Sequence, residues 1–174
     1  IVAYFPFLQH FSLEIHSHNS FPHSTGIASS ASSMSALALC LVDIENALDG
    51  GLRPHEFFEK ASKIARLGSG SACRSVFPYL AVWGKHPEIS LSSNEYAVPF
   101  HETVHPIFKT YKDAILIVSS DEKSVSSRAG HALMEGNPYA ESRYKQAETN
   151  LSDLIAAMKN GNIEKFGEIV ENEA

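Results

Sequence analysis

The sequence predicts an α+β fold in two parts, and three observations carry that expectation. A long apolar helix follows a small-residue loop near residue 30, short strand patterns are interspersed from residue 76 to residue 118, and helical periodicity returns after Asn137. Over 174 residues the chain is 44% hydrophobic and 20% charged, a globular composition that excludes disorder and collagen-like order. No continuous apolar run reaches the roughly 18 residues of a membrane span. The richest stretch, 35–44, already contains Asp43 and runs on into Glu45 and Asn46, so a soluble protein is expected. With 14 Lys and Arg against 20 Asp and Glu the net charge is -6, which gives no basic footprint for nucleic acid. Any anion site must be built locally. Cys40 and Cys73 have no CxxC spacing and no signal peptide precedes them, which points to a reducing, cytoplasmic setting without disulfides or a cysteine zinc site.

Residues 11–18 alternate apolar Phe11, Leu13 and Ile15 with polar Ser12, Glu14 and His16, the pattern of a half-buried strand. A polar loop with Pro22 and Gly26 follows. From Ser29 apolar residues recur at helical spacing, Met34, Leu37, Ala38, Leu41, Ile44 and Leu48, until Gly50 and Gly51 stop the helix. A second helix is predicted from Pro54, in its first turn, through Phe57, Phe58, Ala61, Ile64 and Ala65 to Gly68, where a positive φ would suit the exit. Strands are predicted over 76–83, 96–100 and, wholly buried, 114–118. Asn137 should cap and Pro138 open a long helix with Tyr144, Ala147, Leu151, Leu154, Ile155 and Met158 on its core face. A last helix carries Ile163, Phe166, Ile169 and Val170, and the domain boundary is expected near 109–113.

The loop over 19–31 delivers small residues into a helix start, where unpaired N–H groups and the positive end of the helix dipole can meet an anion, with Ser29 and Ser30 adding hydroxyls. It lacks the GKS or GKT ending of a Walker loop. A plain helix cap would use the same residue types.

The order Pro22-x-x-x-Gly26-Ile-Ala-Ser29-Ser30-Ala31 resembles the ATP-phosphate loop of the GHMP kinase superfamily, P-x-x-x-G-L-G-S-S-A-A, with Ile27, Ala28 and Ser32 as mild departures. Within that superfamily, Arg66-Leu-Gly-Ser-Gly-Ser-Ala-Cys-Arg-Ser75 is similar to the R-x-G-S-G-S-A-C-R-S signature of the diphosphomevalonate decarboxylase family. Val125-Ser-Ser-Arg-Ala-Gly130 resembles its third substrate loop. Three signatures stand in the family's order.

The resemblance implies a partial GHMP two-domain fold: residues 1–109 as a nucleotide-binding domain with a ribosomal-protein-S5-like layer, lacking its first strands, and 110–174 as the start of a ferredoxin-like domain. The chain opens without Met and stops within a helical pattern, so it is read as a central fragment, inactive alone and without the family's catalytic aspartate. The activity implied is ATP-dependent phosphorylation of the 3-hydroxyl of mevalonate 5-diphosphate, then loss of phosphate and carbon dioxide to give isopentenyl diphosphate. ATP with Mg2+, and a homodimer, belong to that implication. Gly26, Ser29 and Ser30 would lie on the ATP phosphates, with Ser30 at the γ-phosphate. Ser69, Ser71, Ser127 and Arg128 would bind the diphosphate and Arg74 the carboxylate, with Ser30 and Arg74 acting on the reacting groups. A guanidinium suits either anion, having parallel donors and a permanent charge. A related mevalonate or phosphomevalonate 3-kinase and a non-catalytic phosphate-binding domain remain the alternatives.

Blander readings stand beside these. The 68–74 loop could be a helix stop with Arg74 in a surface ion pair, but the full signature outweighs that. No G-x-S-x-G accompanies it, which excludes the usual serine hydrolase elbow. His16, His18, His23, His101 and His105 invite a metal but lack ligand spacing, and no metal site is expected. Cys73 reads as a small buried filler, and Asp121, Glu122 and Lys123 as a solvated loop tip.

Overall fold

Helices α1 (Ser29–Asp49) and α2 (Pro54–Gly68) form the body of a first unit, Ile1–Phe100, in a computed structural model that describes residues 1–21, 27–116, 130 and 132–173. The buried face of α1, Ala31, Ser35, Ala38, Leu41 and Val42, follows helical spacing. It packs in one cluster with Ala61, Ile64 and Ala65 of α2 and with Phe5, Ala72 and Val76. Ile44 and Leu48, predicted on the same stripe, are 36% and 50% exposed. Lys60 explains the turn of that face: its Nζ donates to Glu45 Oε1 at 2.7 Å, so Glu45 looks toward α2 and the last apolar residues are rotated aside. By length and mean hydropathy, 1.3, α1 would suit a membrane span. Packing of Ala38 and Val42, 1% and 0% exposed, makes it a core helix of this unit.

Both helices begin and end where the punctuation residues predict. Gly50 and Gly51 take φ of 70° and 86°, left-handed backbone that a side chain would strain, and Gly50 N–H closes α1 on Asn46 O at 2.9 Å. Gly68 behaves otherwise. It is the last residue of α2 without a positive φ, and a Cβ there would stand 2.5 Å from Met34 Sδ. Its smallness serves close approach of α1 and α2, not the helix exit.

Pro54 opens α2, preceded by Arg53 in extended backbone. Glu56 accepts from Arg53 N–H at 2.9 Å and from the Arg53 guanidinium at 2.7 Å, half of a capping box with an ion pair added. The guanidinium first, then the backbone N–H, hold the Glu56 carboxyl well below the ordinary value, at about 2. A depressed folded-state value means that this support of the helix start is complete above the ordinary carboxylate range and is lost as pH falls toward 2. A carbon-detected NMR titration is expected to find Glu56 still ionised at pH 3, and Arg53→Ala to move its midpoint part of the way back. A wild-type midpoint at 4.5 would count against the cap.

The strands are shorter than predicted. Residues of the Gly70–Val76 segment form a 3-10 turn, with Ala72 N–H on Ser69 O at 2.9 Å and Phe77 N–H on Arg74 O at 3.1 Å. Backbone bonded locally in this way is withdrawn from a ladder. Pairing therefore starts only at β1 (Ala81–Trp83), antiparallel to β2 (Ala97–Pro99) with Val82 opposite Val98. Residues 11–18 form no strand and are exposed throughout. An alternating pattern makes a strand only when an edge is there to receive it. Residues 114–116 are irregular and exposed, so the described part of the predicted buried strand is absent, and 117–118 lie outside the described residues.

The second unit, His101–Ala174, contains the 3-10 turn Pro106–Lys109 and helices α3 (Ala140–Asn160) and α4 (Ile163–Glu173). His105 N–H donates to Met158 O at 2.9 Å, and Phe108 and Tyr111 lie 5.0 and 5.5 Å from the Phe166 ring. Residues 101–109, assigned by sequence to the first domain, thus pack in this unit. Asn137 starts a turn rather than the helix, its Oδ1 accepting from Tyr139 N–H at 2.9 Å, and α3 begins at Ala140. Ile155, Ala157, Met158 and Ile169 are buried, whereas Tyr144, predicted on the core face, is 58% exposed. The first unit carries the candidate site.

Candidate functional site

At the mouth of α1, Ala28 has φ 60° and ψ 38°, left-handed backbone in which its methyl costs about 1 to 2 kcal/mol. This is where the superfamily pattern has glycine. The bend lets Ala28 O accept from Ala31 and Ser32 N–H at 3.0 and 3.1 Å, starting the helix abruptly at Ser29. Among the described residues no side chain caps this helix start. The positive end of the helix dipole lies beside the half-buried Ser29 and the exposed Ser30. Strain of this kind at a loop-to-helix junction fits a functional loop. Ser33 Oγ donates back to Ser29 O at 3.0 Å and steadies the turn.

The second loop meets the first here. Ser30 Oγ and Ser69 Oγ stand 3.2 Å apart, although 39 residues separate them. Ser69 leaves α2 in extended backbone, φ -152°, and the Gly70–Val76 turn then carries half-buried Ser71 and, in its last turn, exposed Arg74. A Cβ on Gly70 would come 3.2 Å from Trp83 Cη2, so the indole would have to give by a few tenths of an ångström. Cys73 is fully buried, its Sγ donating to Gly70 O at 3.0 Å, and burial pushes its thiol up against the weaker opposing pull of Arg74. The sulfur is a packed filler and not a nucleophile. Arg74 is exposed and makes no ion pair among the described residues. Arg66 is spent instead on structure, Nε donating to Glu95 O at 2.6 Å, while Lys63 pairs with the Glu95 carboxylate at 2.7 Å.

Of the residues singled out by sequence, Ser30 and Ser69 are brought into contact, with Ser29, Ser71 and Arg74 on the same two segments. Gly26, Ser127 and Arg128 lie outside the described residues. Among the described residues no group of three His, Cys, Asp or Glu side chains could hold a metal ion, and His16 is engaged with Glu14 at 2.7 Å.

A family model described as the diphosphomevalonate decarboxylase-like N-terminal domain matches residues 3–96, the stretch that holds both loops. The chain belongs to the diphosphomevalonate decarboxylase family. It is 37% identical over 125 residues to the diphosphomevalonate decarboxylase of Eremothecium gossypii, covering 72% of this chain and 29% of that protein. To the enzyme of Gibberella zeae it is 30% identical over 173 residues, 97% of this chain and 42% of the relative. A crystal structure of a mevalonate diphosphate decarboxylase from Legionella pneumophila superimposes with a TM-score of 0.66 at 32% identity, over 89% of this chain and 44% of that one. The chain thus spans less than half the length of these relatives. The α+β architecture of the decarboxylase family is the fold described above.

One residue of the site escaped the sequence reading. Ser62 lies fully buried on α2 between Ala61 and the Ile64–Ala65 pair, with its hydroxyl bonded to Cys73 O and to Ala97 N–H. The signal for it was present as a lone hydroxyl on the apolar face of an amphipathic helix, four residues ahead of Arg66.

Proposed function

We propose that the protein carrying this chain is an ATP-dependent diphosphomevalonate decarboxylase acting on mevalonate 5-diphosphate. The observation that carries the proposal is the 3.2 Å approach of Ser30, at the open end of α1, to Ser69, at the head of the Gly70–Val76 turn. Phosphoryl donor and acceptor must meet within one pocket, and two anion-suited loops that touch provide such a meeting point. In this reading the α1 amides and the Ser30 hydroxyl hold the transferring γ-phosphate. Ser69 and Ser71 take oxygens of the substrate diphosphate, and the exposed Arg74 fork holds the carboxylate. Phosphorylation of the 3-hydroxyl turns it into a leaving group. The C–O bond then breaks with its electron pair going to phosphate, while the C–C bond to the carboxylate supplies the pair of the new double bond and releases carbon dioxide. By fixing the carboxylate, Arg74 aligns the breaking C–C bond with that departure.

Mg2+ bound to the nucleotide phosphates supplies charge neutralisation. A reducing, cytoplasmic setting belongs to the same proposal and is supported by Cys40 and Cys73, both free thiols.

The test is release of carbon dioxide from mevalonate diphosphate, one per ADP formed, and its response to Ser30→Ala. Losing a donor to a transferring phosphoryl group is expected to lower kcat about 10- to 100-fold, with the substrate KM changed much less. ADP formed without carbon dioxide would favour the 3-kinase reading, and unchanged kinetics would make Ser30 a helix-start residue only.

A further inference from the structure

Ser62 is wholly buried, and its Oγ uses both of its hydrogen-bonding faces. It donates to Cys73 O at 2.8 Å and accepts from Ala97 N–H at 2.8 Å, so one hydroxyl ties α2, the Gly70–Val76 turn and the first residue of β2. In a buried place neither partner has solvent to turn to. The carbonyl of Cys73 lies in the same planar peptide unit as the N–H of Arg74. Anchoring that oxygen therefore fixes the plane from which the Arg74 side chain departs. The turn is held from other sides as well, by Cys73 Sγ on Gly70 O at 3.0 Å and by Trp83 against Gly70. The Ser62 bond acts on the oxygen of the peptide that precedes the arginine, while Arg74 O on its other side accepts from Phe77 N–H.

We infer that Ser62 is a positioning residue for the decarboxylation: its buried hydroxyl, bridging the Cys73 carbonyl and the Ala97 N–H, orients the Arg74 guanidinium toward the substrate carboxylate. The inference rests on the function proposed above. Ser62 is enclosed in the core and acts through the turn that carries Arg74, which separates its effects from those of Ser30. ATP binding at the α1 mouth should be indifferent to it.

The experiment compares Ser62→Ala with Val42→Ala, a core truncation in α1 that leaves both Ser62 hydrogen bonds in place, each assayed in the full-length protein well below its melting temperature. A displaced arginine is expected to lower kcat with mevalonate diphosphate about 10- to 100-fold in Ser62→Ala, with the ATP KM nearly unchanged, whereas Val42→Ala lowers the melting temperature and leaves both constants near wild type. Amide hydrogen exchange is expected to quicken over Gly70–Val76 in Ser62→Ala and not in Val42→Ala. A kcat loss no larger than that of Val42→Ala, or an equal rise in the ATP KM, overturns the inference. So does unchanged exchange over the turn, whatever the activity. A wild-type protein that releases no carbon dioxide, with exchange still quickened by Ser62→Ala, overturns the proposed reaction and leaves the anchoring of the Arg74 peptide standing.

Discussion

Replacing Phe5 by Ala is expected to destabilise the first unit by about 3 to 5 kcal/mol, the usual range for deleting a buried ring and leaving its cavity. Phe5 is 0% exposed and is the largest of the fully buried side chains, seated in the cluster that joins α1 to α2. Its ring meets Phe7 edge-on at 5.9 Å, and Lys60 Nζ sits 5.0 Å above its centre while bonded to Glu45. Truncation removes apolar contact and a cation–π partner together, and it loosens the lysine that sets the rotation of α1. Phe11→Ala is the internal control. Phe11 is 54% exposed, so its loss is expected to cost about 0.5 kcal/mol or less. Urea unfolding of both variants separates them by midpoint, and equal losses would show that Phe5 is not the keystone of this core.

The contrast between those two phenylalanines shows what the sequence could and could not convey. Both stand in apolar-rich segments near the start of the chain, and the alternation over 11–18 is the more regular pattern. Alternation reports only which faces a strand would have, whereas burial depends on a partner that local pattern does not name. The α1 and α2 bounds were legible because Ser29, Gly50, Pro54 and Gly68 are stop and start residues whose backbone physics is local. Even there Gly68 was misread, because the need for smallness came from Met34, more than thirty residues upstream. Ser30, Ser69 and Arg74 stand out in the sequence as candidates by type and motif. Their meeting was not legible, since the 3.2 Å contact between Ser30 and Ser69 follows from how α1 packs on α2. Ser62 was hidden for a related reason: a serine on a helix face looks like tolerated polarity until its two backbone partners are known.

Arg74→Lys is expected to cost about 2 to 5 kcal/mol in binding the transition state, as when one side of a charge-assisted, desolvated pair is spoiled. The ammonium keeps the charge but is a point, so it loses the planar fork that fixes a carboxylate in two directions at once. Arg74 is exposed, and a substitution at an exposed position that keeps the charge should hardly move thermal melting. The loss should fall on kcat, because in the proposed reaction the group assigned to Arg74 is the one that leaves as carbon dioxide, and orientation of that bond matters only in the chemical step. Arg128→Ala should differ in kind. A contact to the diphosphate, which is unchanged through the reaction, is uniform binding, and its removal should raise the substrate KM with kcat largely kept. Steady-state kinetics of the two variants with mevalonate diphosphate at saturating ATP distinguishes these patterns. Near-wild-type constants for Arg74→Lys would defeat its assignment to the carboxylate, and with it the positioning role inferred for Ser62.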